Sequence, residues 1–296
     1  MSQLDALFGE LRSLMQRAGN INHWDLSRLL RRAIAMDEAR YRDEWLPYLT
    51  ANRLPTFFGK TLDDIELFSR MLPAGTLLIL SIELSGFDYD ALADAPFTSC
   101  LTGINISYRC RLTDKRFERL VQSRHLGGLV QLDVGGNNLG DGAMIALAEA
   151  TSIHQLTYLR LYHNHIQSAG ACALAESPLM RQLTMLDISV NQIQDDGVAA
   201  IGASPYLCNL RNLQVYSNKI KRKGAEAFGR TTTLVNLTDL NISKNNIGNY
   251  GALALASCPA LSNLTTLSVG RNRINAKGMG YLRGSAHLTK LENLYH

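Results

Sequence analysis

Nowhere in these 296 residues does an apolar run reach the roughly 18 side chains that a membrane-crossing helix needs. The first residues, Met1-Ser2-Gln3-Leu4-Asp5, lack the basic stretch and apolar core of a secretion signal, so a soluble cytoplasmic protein is expected. Cysteine is scarce: Cys100, Cys110, Cys172, Cys208 and Cys258 lie far apart with no C-x-x-C pair, which argues against a zinc site and against a disulfide framework. Charge of one sign is also lacking. Thirty Lys and Arg against 26 Asp and Glu leave a net charge of +4, too mild to imply nucleic acid by itself. What is present is apolar surface: 46% hydrophobic against 19% charged residues can bury a full core and rules out wholesale disorder. The length fits two ordinary domains, or one elongated repeat domain with an extra lobe.

Self-comparison favours the repeat. Asn137, Asn164, Asn191, Asn218, Asn245 and Asn272 stand 27 residues apart, and their surroundings recur in register. Eight before each Asn is a leucine, from Leu129 to Leu264; five before, another, from Leu132 to Leu267. Three before come Val134, Leu161, Ile188, Val215, Ile242 and Val269, and two after, Leu139 and then isoleucine from Ile166 to Ile274. The positions five and three before Asn share one side of a short strand and point inward. The second half of each repeat carries Gly170, Gly197, Gly224, Gly251 or Gly278 six after the Asn, then an apolar residue such as Leu174 or Phe228 at ten. That spacing reads as a short helix, stopped in three repeats by Pro178, Pro205 and Pro259.

The pattern L-x-x-L-x-[LIV]-x-x-N-x-[IL] resembles the leucine-rich repeat family, and the helical phrases from Gly170 and Gly197 resemble its ribonuclease-inhibitor-like subclass, bacterial members especially. The resemblance implies an α/β fold: a curved right-handed solenoid over residues 77–296, with about eight parallel strands on the concave face and helices on the convex face. It also implies that the six Asn side chains are structural, bonding backbone groups of adjoining turns. Cys110 stands in the Asn column of an irregular repeat beginning at Leu101, and Leu77, Leu80, Ile82, Ser85 and Phe87 look like a degenerate first repeat, as terminal repeats are expected to be.

Residues 1–76 carry no repeat. Amphipathic spacing over 4–15, 25–45 and 61–72 reads as an all-helical amino-terminal cap, electrically neutral, that shields the first repeat. At the other end Leu291 to His296 begins another strand, which would offer an edge for a homodimer.

In the resembled family, function sits on the variable strand positions of the concave face. There Tyr158, Arg160, Tyr162, His163 and His165 belong to one repeat, with Met185 one strand away and Tyr216 two strands from Tyr162. Aromatic and arginine side chains are what protein interfaces gather at their centres, so this cluster is the expected contact site for a protein partner. Arg160 shares a column with Asp133 and Asp187, and pairing among the three is the competing structural account. His163-Asn164-His165 offers two imidazoles, but with no third ligand and no pocket it argues against a metal, a cofactor or catalysis. Lys219, Lys221, Arg222, Lys223, Lys244, Arg271 and Arg273 form a second feature, a basic edge suited to an acidic protein. With Tyr216 the sole interleaved aromatic, that edge argues against nucleic acid.

Overall fold

The computed structural model describes residues 88–95, 98–99, 101–107, 110 and 112–296, the backbone of 56–58 and 78–81, and Ala6, Gly9 and Glu10. Ten short strands form one parallel sheet in sequence order: β1 Thr56–Phe58, β2 Leu78–Ser81, β3 Leu101–Asn105, β4 Gln131–Asp133, β5 Tyr158–Arg160, β6 Met185–Asp187, β7 Asn212–Gln214, β8 Asp239–Asn241, β9 Thr266–Ser268 and β10 Asn293–Tyr295. Between them run eight described helices: α1 Tyr89–Asp94, α2 Asp114–Val121, α3 Asp141–Ala148, α4 Ser168–Glu176, α5 Gln194–Ala203, α6 Arg222–Phe228, α7 Gly248–Ala256 and α8 Ala276–Arg283. Strictly sequential parallel pairing, with one helix in each crossover from β2 onward, makes an α/β solenoid whose strands line one face and whose helices line the other.

The register from β4 onward is the 27-residue period itself, with Leu132, Leu159, Leu186, Leu213, Leu240 and Leu267 stacked as Cα partners. All six are at most 2% exposed, and each buried side chain of this size contributes about 1.5–3 kcal/mol. The Asn ladder closes the turns after the strands. Asn164 Nδ2 donates to the carbonyls of Val134 in the preceding repeat (3.1 Å) and of Leu161 (2.9 Å), while its Oδ1 accepts from the N–H groups of Asn137 and Leu139. Asn191 and Asn245 repeat the pattern, and all six amides are buried. Cys110 fills the same place in the irregular repeat: its Sγ donates to the Ser107 carbonyl three residues back, as the amides of Asn137, Asn164, Asn191, Asn245 and Asn272 do to theirs.

At the helix ends a hydroxyl column performs a similar task. Ser177 Oγ donates to the Ala148 carbonyl, Ser204 Oγ to Ala175 and Ser285 Oγ to Ala256, so the last turn of each helix is tied to the repeat that follows. These bonds satisfy carbonyls that a helix end leaves without partners.

β1 departs from the all-helical reading of residues 1–76. Thr56-Phe57-Phe58 follows Pro55 and is β-branched and aromatic, a composition that favours strand, but three residues are too few for periodicity to register. Of the helices expected over 4–15, 25–45 and 61–72, Ala6, Gly9 and Glu10 are helical and the rest lies outside the described residues, as do Leu77, Ile82, Ser85 and Phe87.

Candidate functional site

The concave face is set by three rows of outward-facing side chains. The first row pairs Gln131, Tyr158, Met185, Asn212, Asp239 and Thr266 across successive strands; the second pairs Asp133, Arg160, Asp187, Gln214, Asn241 and Ser268. Two residues on, at the strand exits, lie Gly135, Tyr162, Ser189, Tyr216, Ser243 and Gly270.

The second row holds an ion triad. Arg160 Nη1 lies 3.2 Å from Asp133 Oδ2, and its Nε lies 3.7 Å from Asp187 Oδ2, an ionic contact without a hydrogen bond. Both carboxylates are fixed from behind, Asp133 Oδ1 by the Gly135 N–H and Asp187 Oδ1 by the Ser189 N–H, each at 3.1 Å. Burial pushes the Asp133 carboxyl above its ordinary value, and the Asp187 charge adds to this; the Gly135 N–H and Arg160 pull the other way without cancelling it. The facing carboxylates raise the Arg160 guanidinium further, against the opposing effect of its burial. Pairing among neighbours, the competing account of Arg160, is therefore what its geometry shows, and the group stays charged.

The same guanidinium stacks on an aromatic ring, with Arg160 Cζ 4.6 Å from the centroid of Tyr162. Tyr162 in turn lies flat over Gly135: a Cβ built on Gly135 would fall 2.2 Å from Tyr162 Cε1. Glycine at this place is what lets the ring lean across one strand. Ser189, between Tyr162 and Tyr216 in the row, is 2% exposed. Tyr216 carries its own cation, with Lys244 Nζ 5.2 Å from the ring centroid. Tyr158, Tyr162, Met185 and Tyr216 are half-buried, whereas His163 and His165 are exposed.

The position just before each ladder Asn adopts left-handed backbone: Gly136, His163, Val190, Ser217, Lys244 and Arg271 all have φ between 50° and 73°. This turn swings the chain out over the strand ends, where an open groove of about 500 Å³ runs past His163, His165, Gln192, Lys219, Lys244 and Asn246. Two groups read separately from the sequence, the histidine pair and part of the basic edge, are brought together there. The other basic residues diverge. Lys221 and Lys223 border a smaller cleft with Asp195 and Asp196, which Lys219 also touches, Arg271 and Arg273 are exposed one repeat beyond Lys244, and Arg222 bonds Glu226 at 2.6 Å and stacks 3.9 Å over Tyr250.

Tyr250, 58% exposed, is an aromatic on the basic side that the strand-centred reading overlooked, because it sits on a helix. A stronger missed signal was available in the sequence. Residues 129–210 hold two Lys or Arg against seven Asp or Glu, whereas residues 211–296 hold twelve against three, so the mild net charge conceals two repeat blocks of opposite sign. No group of three or more His, Cys, Asp or Glu side chains among the described residues is arranged to hold a metal ion. Among the same residues no helix is long and apolar enough to cross a membrane.

Comparison with known proteins agrees with this architecture. The family model described as Leucine Rich repeat matches residues 129–148, 153–175, 181–202, 233–256 and 260–282. The stretch it passes over holds Lys219, Lys221, Arg222 and Lys223, yet β7 and α6 keep the same register there. No curated protein matches the chain. Among solved structures, InlP of Listeria monocytogenes is similar at 20% identity and a TM-score of 0.45, over 80% of this chain and 62% of that one. The chain thus spans less than two thirds of that protein's length.

Proposed function

The chain is a leucine-rich repeat protein, and we propose that it is a non-enzymatic scaffold that binds a protein partner on its concave face. The 27-residue period with a helix in each repeat supports placing it in the ribonuclease-inhibitor-like subclass. The contact centre in this reading is Tyr158, Arg160, Tyr162, His163 and Tyr216, flanked by Met185 and His165.

One observation carries the proposal. Tyr162 packs against both Gly135 and the Arg160 guanidinium, and Arg160 is itself held by two carboxylates. An aromatic presented in a fixed pose loses little freedom on binding, which is what an interface anchor requires. The anchor stands on an open sheet face rather than in a water-excluding pocket, which favours recognition over catalysis.

The test is affinity capture from native-host lysate, comparing the wild type with the Tyr162→Ala/Tyr216→Ala double variant by mass spectrometry. A protein retained by the wild type and lost by the variant is the expected outcome. Identical captures would remove the concave centre. For a partner so identified, Tyr162→Ala alone is expected to weaken binding by about 2 kcal/mol.

A further inference from the structure

The groove over the strand ends adjoins the concave centre, sharing His163 and His165 with it, and differs from it in chemistry. Its ionisable lining consists of His163, His165, Lys219 and Lys244, and no carboxylate borders it. Lys219 Nζ is held 2.6 Å from Gln192 Oε1, so one cation is fixed at the groove wall. Lys244 is positioned above Tyr216 at the opposite margin. Neither lysine pairs with an acid among the described residues, and the block from residue 211 onward adds a positive field of twelve cations against three anions. A groove of this kind draws an anionic occupant by its charge before any contact forms.

The lining also selects among anions. The side chains of Gln192 and Asn246 supply neutral donors and acceptors, as a peptide main chain requires, whereas the N–H groups of the left-handed turns are committed to carbonyls of the next repeat. No Phe, Tyr or Trp ring lines the groove, so beyond the two imidazoles it offers no broad platform on which successive unpaired bases could stack. From the Asn137 turn to the Asn245 turn it crosses five strand ends, roughly 19 Å at ~4.8 Å per strand, room for about six extended residues.

We propose that this groove binds an extended acidic polypeptide segment, its carboxylates meeting Lys219 and Lys244 and its backbone meeting the amide side chains. The proposal rests on the reading of the chain as an interaction scaffold, and adds a second surface with a defined chemical class of partner.

Fluorescein-labelled hexaglutamate, with hexaglutamine as its neutral counterpart, is the probe, read by fluorescence anisotropy at about 50 mM salt. The full chain is compared with Lys219→Glu/Lys244→Glu and with Lys115→Glu/Arg116→Glu, which makes the same charge change on α2, far from the groove; thermal melts establish that each variant is folded. Hexaglutamate should bind the wild type and the α2 variant, lose about tenfold or more in affinity with the groove variant, and be replaced by no binding for hexaglutamine. Equal losses in the two charge variants would reduce the effect to overall charge and overturn the proposal. Tighter binding of oligothymidylate than of hexaglutamate, lost with the groove variant, would overturn it in favour of nucleic acid. Tyr162→Ala is expected to leave hexaglutamate binding within about twofold. If that variant abolished binding while the groove variant kept it, the peptide would belong to the concave face. The concave-face reading stands or falls separately, on partner capture by the Tyr162→Ala/Tyr216→Ala variant.

Discussion

The Asp195 carboxylate, in the first turn of α5, accepts the Lys221 backbone N–H that opens the next repeat's helix, at 2.6 Å. Gly224 makes room for it: a Cβ there would meet Asp195 Oδ1 at 2.6 Å. The contact recurs along the solenoid, beginning with Asp114 Oδ1, which takes the Gly140 N–H at 2.9 Å. Asp141 Oδ1 takes the Gln167 and Gly170 N–H groups, and Asn249 Oδ1 takes the Asn275 N–H. The same column holds Ser168, Arg222 and Ala276 in the other repeats, so only some of the repeats carry this cap.

Asp195→Ala is therefore expected to cost about 0.5–2 kcal/mol, the range for losing a helix cap, although Asp195 lies outside the helix it caps. Asp195→Asn should be close to neutral, because Asn249 performs the same task. Urea unfolding of both variants decides the matter; equal losses would show that the carboxylate charge, rather than the hydrogen bond, carries the effect.

The strand core, the Asn ladder and the helix per repeat were legible because each depends on a residue's place in a fixed period. Leu186 is buried because it is five before Asn191, and no distant information is needed. The caps at Asp114, Asp141, Asp195 and Asn249 escaped notice because Ser168, Arg222 and Ala276 interrupt their column. β1 escaped because Thr56–Phe58 is too short to show any period. At the site, the Asp133–Arg160–Asp187 column followed from register alone, whereas the lean of Tyr162 onto Gly135 depends on side-chain direction, which spacing does not encode. The groove was hidden for a similar reason: left-handed turns at His163 and Lys244 bring together residues read as members of different features.

Gly135→Ala tests the packing of Tyr162. The added methyl would overlap the ring, which must swing off Arg160, so a destabilisation of about 1–3 kcal/mol is expected, as for overpacking. In a Tyr162→Ala background the same methyl meets no ring, and the cost should largely vanish. A double-mutant cycle reads the coupling directly; additive losses would mean that the ring and Gly135 do not constrain one another.

Val190 has φ 53°, a left-handed conformation that is costly for a β-branched residue. Its counterparts in neighbouring repeats, His163 and Ser217, are not β-branched. Val190→Asn keeps the turn with a residue that tolerates it and should raise stability by about 1 kcal/mol. A lowered unfolding midpoint would show instead that the half-buried valyl side chain contributes more than its backbone costs.

Asp133 gives the triad a pH signature. Its folded-state carboxyl titrates above the ordinary range, chiefly because it is buried among Asn105, Arg160 and Asp187, so the native protein takes up a proton at a pH where the unfolded chain does not. As pH falls through that window, this group's contribution to stability rises; as pH climbs back above the folded value, the contribution is lost. Asp133→Asn removes the proton uptake. Between about pH 7 and about pH 4, the wild type should gain stability relative to Asp133→Asn, measured as the difference in urea midpoints at each pH. The opposite trend would mean that attraction to Arg160 outweighs burial, making the triad a net stabilising ion pair at neutral pH rather than a positioning device for Tyr162 maintained at some cost to the fold.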